Sequence, residues 1–249
     1  MALRKNGLAV ACAVGVIVAL VVVALVVAVY VRSVRSAGGR RAKFFNECRL
    51  NKHADHRFCH PRRALTDVHA TLRSIYGEFM RVCGSAGVRP VLQAGGLIGW
   101  HFNGRMLPWD DDLDVFIFEE DVPKILKIDG YRSPSCIIEI NPNHTVRRER
   151  EDPDNVIDAR VISPVSGDFI DVGFLFPCPR DAQYLASKPE RDRFLARTMY
   201  PPKRAKFEGI DVFVPARPSD YLVARYGRGV LRPAYKEWVF DGAAWVKRR

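Results

Sequence analysis

The apolar positions of this chain change period several times, and each change marks a different kind of element. Gly7 to Val31 is a run without a charged residue. From Leu65 the apolar positions Leu65, Val68, Leu72, Ile75, Phe79 and Val82 recur at three and four, which predicts one face of a helix opened by Pro61 and ended by Gly84 and Gly87. A strand is expected over Val88–Ala94, followed by Gly95-Gly96 and a short helix from Leu97 to Phe102 that Asn103-Gly104 breaks. Leu113–Phe118 is a second expected strand, and its Val115–Phe118 is a continuous apolar stretch of the kind found in a strand buried on both faces. Glu119–Ile128 suits a short helix and Cys136–Ile140 a strand, and Asn141–Pro153 is polar enough for an exposed loop. Val156–Ser163 and Asp168–Phe176 flank Pro164-Val165-Ser166-Gly167, a hairpin signal. A helix over Glu190–Thr198, a strand over Phe207–Val214 and a final helix capped by Ser219 and running through Tyr226 complete the pattern. The fold class this predicts is mixed α and β, a twisted mixed sheet with helices packed on it.

The first run changes the picture of where the protein sits. Residues 7–31 can cross a bilayer core of about 30 Å at about 1.5 Å per residue. A cleaved signal peptide is the rival, and its apolar region usually spans only about 7–15 residues. The expectation is therefore a short tail at 1–6, a transmembrane anchor at 7–31, a basic stem at 32–60 and one folded domain at 61–249. Arg32, Arg35, Arg40, Arg41 and Lys43 after the span outnumber Arg4 and Lys5 before it, which by the positive-inside rule favours a cytoplasmic domain. Asn143-His144-Thr145 is an acceptor triplet for glycosylation at Asn143, which has meaning only in a secretory lumen. Cys48 and Cys59 can close a short loop in an oxidising compartment. His53, His56 and His60 stand near them, but the spacing matches no familiar zinc site.

The net charge of +11 describes a field that draws anionic substrates, or simply a solvated basic surface. No zinc-finger spacing or RNA-binding aromatic motif accompanies it, so nucleic acid is not an expected partner.

The chemistry concentrates in Trp109-Asp110-Asp111-Asp112-Leu113-Asp114-Val115. These acids run straight into the apolar strand, unlike an acidic surface loop. Residues two apart on a strand point the same way, so Asp112 and Asp114 project together. Two neighbouring carboxylates at the end of a buried strand cannot both ionise without cost, and a divalent cation resolves the conflict. Hard oxygen ligands suit Mg²⁺ or Mn²⁺. Asp171 sits inside the apolar stretch Phe169–Phe174, as a third metal carboxylate or as the partner of an arginine such as Arg160 across the hairpin. Asp158 and Asp168 are weaker candidates, each nearer an edge or turn. Gly95-Gly96 after a strand can bring backbone amides to a phosphate.

Taken together, these segments resemble the LicD family, which includes fukutin and the fukutin-related protein. The resemblance runs without a gap from Gly95-Gly96 through Pro108-Trp109-Asp110-Asp111-Asp112-Leu113-Asp114-Val115. It continues in Ile157-Asp158-Ala159-Arg160, in Asp168-Phe169-Ile170-Asp171-Val172, and in Pro202–Pro215 with Tyr221-Leu222 and Tyr226-Gly227. Its details are most similar to the fungal branch associated with mannosylphosphate transfer. Gly96 stands where the family carries Thr or Ser, and Phe102 where many bacterial members carry Arg.

The resemblance implies a nucleotidyltransferase-like fold and a phosphotransferase. Its cargo would be phosphocholine, ribitol phosphate or mannose phosphate, moved from a CDP- or GDP-type donor to a glycan hydroxyl. Asp112, Asp114 and Asp171, assisted by Asp110, would hold Mg²⁺ or Mn²⁺. Gly95 and Gly96 would face the donor phosphates, and Lys203, Arg204 or Lys206 would bind donor or acceptor. Similar eukaryotic members are anchored in the Golgi, so the expected location is a single-pass membrane protein of the Golgi or ER with a lumenal domain. A membrane-anchored partner or regulator without catalysis is the alternative.

Overall fold

The structure, a computed structural model, describes residues 63–142, 144, 157–179, 181–187 and 193–248. The expected anchor at 7–31, the stem at 32–60 with Cys48 and Cys59, and Asn143 lie outside the described residues. No helix among the described residues is long and apolar enough to cross a membrane.

Helix α1 spans Leu65–Ala86 and buries Val68, Leu72, Ile75, Tyr76, Phe79, Met80, Val82 and Cys83. That is the predicted stripe except at its start, where Leu65 is exposed at the helix's first residue, and it packs on the strands described below. The helix continues through Gly84 and stops at Gly87, whose φ of 69° lets its N–H reach back to Cys83 and Gly84 carbonyls.

The strand expected over Val88–Ala94 is only β1, Val91–Leu92. Its shortness follows from helix α2, which begins three residues earlier than predicted and spans Ala94–Asn103. Gly95 and Gly96 therefore lie in the helix's first turn. Gly104, at φ 71°, ends it as expected.

Strand β2 is Leu113–Phe118, as its apolar run requires. The expected helix at Glu119–Ile128 is a 3₁₀–α–3₁₀ succession, with the α turn α3 at Val122–Ile125. Strands β3, Ile137–Ile140, β4, Ala159–Ile162, and β5, Phe169–Cys178, follow. The predicted hairpin is β4–β5, with Arg160 opposite Asp171.

Beyond β5 the sequence pattern was less legible. Strand β6, Asp181–Ala186, had no counterpart in the expectation. The helix expected over Glu190–Thr198 is instead strand β7, Arg193–Leu195, and one turn α4, Ala196–Met199. The strand expected over Phe207–Val214 is the second arm of a hairpin, β8, Lys203–Phe207, and β9, Ile210–Val214. Glu208 and Gly209 make its turn, both at positive φ. Helix α5 spans Pro218–Tyr226; its N-cap is Arg217, and no side chain caps it, so Ser219 does not have that role.

The main sheet runs β3-β4-β5-β2-β1-β9-β8, with β6 and β7 extending from β5. Pairs β2–β5 and β1–β9 are parallel and the others antiparallel, a mixed sheet. Strand β2 lies near its middle, with Leu113, Val115, Phe116, Ile117 and Phe118 buried.

A separate three-stranded sheet closes the C-terminal part: β10, Ala234–Tyr235, β11, Trp238–Phe240, and β12, Trp245–Lys247. Strands this short do not stand alone. They are held by rings: Trp245 packs on Phe102 of α2 at 4.7 Å, and Tyr235 stacks on Trp109 at 5.1 Å.

Phe79 is fully buried at the centre of the α1 face. Phe79→Ala is expected to cost about 3–5 kcal/mol of unfolding free energy in urea titrations, through lost burial and the cavity left behind. Leu126→Ala, at a 39 % exposed position, should stay within about 0.5 kcal/mol.

Candidate active site

Parallel pairing of β2 and β5 sets Asp114 beside Asp171 in register. Antiparallel pairing of β4 and β5 sets Arg160 beside Asp171 in turn. In-register neighbours project from the same face of a sheet, one strand spacing of about 4.8 Å apart. Arg160, Asp171 and Asp114 thus form a row across three strands.

The Arg160 guanidinium, almost wholly buried, donates to both Asp171 oxygens: Nε to Oδ1 at 2.5 Å and Nη2 to Oδ2 at 3.3 Å. It also lies over the Phe169 ring at 4.2 Å. The arginine alternative for Asp171 is therefore realised. It does not remove Asp171 from the acids, because its charge still bears on Asp114.

Asp114 is the acid under greatest strain. Burial first, then the negative charges of Asp112, Asp171 and Asp110, push its carboxyl well above the usual range, with Arg225 of α5 pulling the other way. Asp110 is pushed up to about 7 by burial, then by Asp112 and Asp111, and it shares a side-chain hydrogen bond with Asp112. Oxygens of Asp110, Asp111 and Asp112 lie within 4.8 Å of one another. An all-oxygen set of crowded acids, Asp110 and Asp111 half-buried and Asp112 exposed, fits a hard divalent cation. Asp111 was the acid that the sequence reading gave no role. It stands in the loop before β2, where strand alternation does not apply.

The acidic loop is fixed from both sides. His69 of α1 meets the Asp110 carbonyl at 2.6 Å. Glu208, in the β8–β9 turn, accepts from the Met106 N–H at 2.7 Å and from Arg73 of α1 at 3.0 Å. Neither contact carried a signal in the sequence, since both join segments far apart in the chain.

The two glycines have steric reasons of their own. A Cβ on Gly95 would occupy the space taken by the Asp110 carboxylate. A Cβ on Gly96 would press on Leu92 at 2.9 Å and Leu113 at 3.0 Å, so a bulkier residue there must displace core side chains. Both N–H groups belong to the first turn of α2, whose first helical bond runs from Leu97 to Gln93.

The basic residues of β8 sit elsewhere. Lys203 lies at the same end of the sheet as the acids but three strands away from β2. Lys206 is farther along β8 and pairs with Asp211 at 2.8 Å, and Arg204 lies over the Phe213 ring. The weaker candidates have structural partners: Asp158 accepts from the Phe174 N–H at 2.7 Å, and Asp168 pairs with Arg63 and Ser166.

Beside Asp110 opens a cavity of about 480 Å³, walled by Gly95, Phe102, Trp109, Tyr226, Arg232, Tyr235 and Trp245 among others. Sequence reasoning also missed this wall; its only trace was the density of Trp and Tyr after residue 226.

Comparisons with known proteins follow the same residues. Residues 87–217 match the family described as LicD/FKTN/FKRP, nucleotidyltransferase domain. A relative from Saccharomyces cerevisiae strain S288c, Mannosyltransferase regulator 4, is 27 % identical over 162 residues, which is 56 % of this chain and 13 % of that protein. The solution structure of the antibiotic-resistance factor ANT(2'')-Ia is similar at a TM-score of 0.36 and 11 % identity, over 67 % of this chain and 76 % of that chain. At that score the likeness carries no weight.

The raised carboxyls have a consequence for stability. An acid whose pKa is higher folded than unfolded binds more protons in the folded state between the two values, so stability falls as pH rises through that window. For Asp110 the window runs from about 4 to about 7. Without divalent cation, Asp110→Asn should flatten the decline in melting temperature across that range and raise it at pH 7 by roughly 2–6 °C. A steeper decline, read by scanning calorimetry, would contradict this.

Proposed function

The chain belongs to the LicD family, and from that premise we propose that it is a metal-dependent phosphotransferase. It would move a phosphorylated alcohol or sugar, of the phosphocholine, ribitol phosphate or mannose phosphate type, from a CDP- or GDP-type donor to a glycan hydroxyl. The observation that carries this reading is the set of acids meeting at Asp114. The charges of Asp112 and Asp110, from the preceding loop, and of Asp171, in register on the adjacent parallel strand, all bear on Asp114. The oxygens that lie within 4.8 Å of one another are those of Asp110, Asp111 and Asp112.

In this reading Asp112 and Asp114, with Asp110, hold Mg²⁺ or Mn²⁺. Bound there, the cation supplies neutralisation of the donor's diphosphate. In the same reading Asp171, held by Arg160, takes the proton of the attacking hydroxyl. The free N–H groups of Gly95 and Gly96 at the start of α2 contribute hydrogen bonds to phosphate. Lys203 is the one basic candidate of β8 at the acids' end of the sheet, and its role is long-range attraction of anions. We further propose that residues 7–31 anchor the chain in a Golgi or ER membrane with the described domain in the lumen, where Asn143 would be glycosylated.

A second reading is favoured by one observation, the name of the yeast relative, which calls that protein a regulator. Here the chain would bind and support a separate transferase. The match covers a small part of that relative, so its activity does not transfer directly.

The test uses the full-length protein in detergent with a panel of CDP- and GDP-linked donors, scored for nucleoside monophosphate release. One donor should be turned over only with Mg²⁺ or Mn²⁺. Asp112→Asn and Asp114→Asn should each lower the rate at least about 100-fold with little loss of melting temperature. Full activity in either variant would sink the site. No turnover of any donor, with no Mg²⁺-dependent melting shift from CDP or GDP, would favour the regulator.

A further inference from the structure

The cavity beside Asp110 adjoins the chemistry described above through Gly95 and Asp110, and the rest of its wall has no role there. Its walls come from two sources. Gly95, Phe102, Trp109 and Asp110 lie within the stretch matched to the family, 87–217. Tyr226, Arg232, Tyr235 and Trp245 lie beyond it, on α5, on the small C-terminal sheet and, for Arg232, on the link between them. The family portion supplies the acids, and the C-terminal portion turns their flank into a pocket. Chemistry shared on a fold and specificity added around it is a common division.

The lining says what kind of ligand fits. At about 480 Å³ the cavity has the size of a small-molecule site. Five aromatic rings, Phe102, Trp109, Tyr226, Tyr235 and Trp245, share its wall with the aliphatic side chains of Ile98, Leu107, Val230 and Ala234. Its charged groups are one carboxylate, Asp110, and one guanidinium, Arg232, which leave no net charge. Trp245 is 9 % exposed, and its indole N–H has no hydrogen-bond partner among the described residues. A buried donor left unpaired costs about 1–3 kcal/mol, so the site gains by receiving an acceptor oxygen. A phosphate would find a carboxylate in this wall and only one cation. A neutral ring with apolar faces and hydroxyls at its edge meets every feature: rings for its faces, and Asp110 and Arg232 for its hydroxyls.

We infer that this cavity is the acceptor subsite, and that it binds a hexopyranose unit of the glycan with its hydroxyls turned toward Asp110 and Arg232. The inference rests on the transferase reading for the word acceptor, while the sugar binding itself stands on the cavity. It sets the acceptor next to the acids through Asp110, which belongs both to the cavity wall and to the acid cluster.

The test measures binding, apart from turnover. Methyl hexopyranosides and their disaccharides are titrated into the full-length protein in detergent, read by tryptophan fluorescence and by saturation-transfer NMR. At least one saccharide should bind. Arg232→Ala and Tyr235→Ala, both at exposed positions, should each weaken it about tenfold. Arg232→Ala should not change the melting shift produced by Mg²⁺ with CDP or GDP, whereas Tyr235→Ala unstacks Trp109 beside Asp110 and is read for saccharide binding alone. Tyr235→Phe keeps the ring and should bind nearly as the wild type, which separates loss of the wall from loss of folding. Saccharide binding with these sensitivities but no transfer from any donor would overturn the transferase reading and leave the subsite standing. No saccharide binding, or binding indifferent to both alanine variants, would overturn the inference. So would an Arg232→Ala variant that weakens nucleotide binding instead, because the cavity would then belong to the donor.

Discussion

The register between β2 and β5 is the constraint from which the site follows. One residue of slip would turn Asp171 to the other face of the sheet and leave Asp114 with only its own loop for company. In the observed register two carboxylates stand a strand apart on a half-buried surface, a placement that costs free energy unless countercharge is near. The protein supplies part of it. Arg160 binds Asp171 from the next strand, and Arg225 of α5 acts on Asp114. Five acids, Asp110, Asp111, Asp112, Asp114 and Asp171, against these two guanidiniums leave an excess of negative charge. A divalent ion would offset part of it.

The same strain explains how firmly the loop before β2 is held. Carboxylates that repel one another would spread if their backbone were free. His69 takes the Asp110 carbonyl, Glu208 takes the Met106 N–H, and the open face of Gly95 gives the Asp110 carboxyl a place against α2. Three separate elements hold a loop whose own charges work to open it. Such pre-organisation is what a site needs when charge must be met at fixed positions.

Much of this was legible in the sequence where a single period ran long enough. The α1 stripe, the β2 run and the β4–β5 hairpin all have patterns that no other element shares. The failures have physical reasons. Phe207–Val214 alternates well enough for one strand, but Glu208-Gly209 turns the chain and makes Lys203–Phe207 its partner. Gly95-Gly96 suggested a loop before a helix, since glycine disfavours helix interiors. Inside the first turn of α2 its lack of a side chain is what Asp110 and the Leu92–Leu113 contact require. The strands of the C-terminal sheet are two or three residues long, too short for any period to show. The acids were visible because their type and spacing are rare; the Arg225 and His69 contacts were not, because they depend on tertiary approach.

Trp109 and Asp110 are consecutive, and this joins the two halves of the site. Trp109 stacks on Tyr235 and meets Trp245 edge-on at 5.0 Å, so it is the point where the small sheet grips the acidic loop. Asp110, one residue on, lies against α2 and shares a hydrogen bond with Asp112. A displacement of the loop that repacks the rings must also shift a carboxylate, and a change in the charge held by the acids must be felt by the rings. Coupling of this kind needs no extended path, because one peptide unit connects both environments. The aromatic sheet, marginal by itself, is thereby made part of the site whose flank it covers.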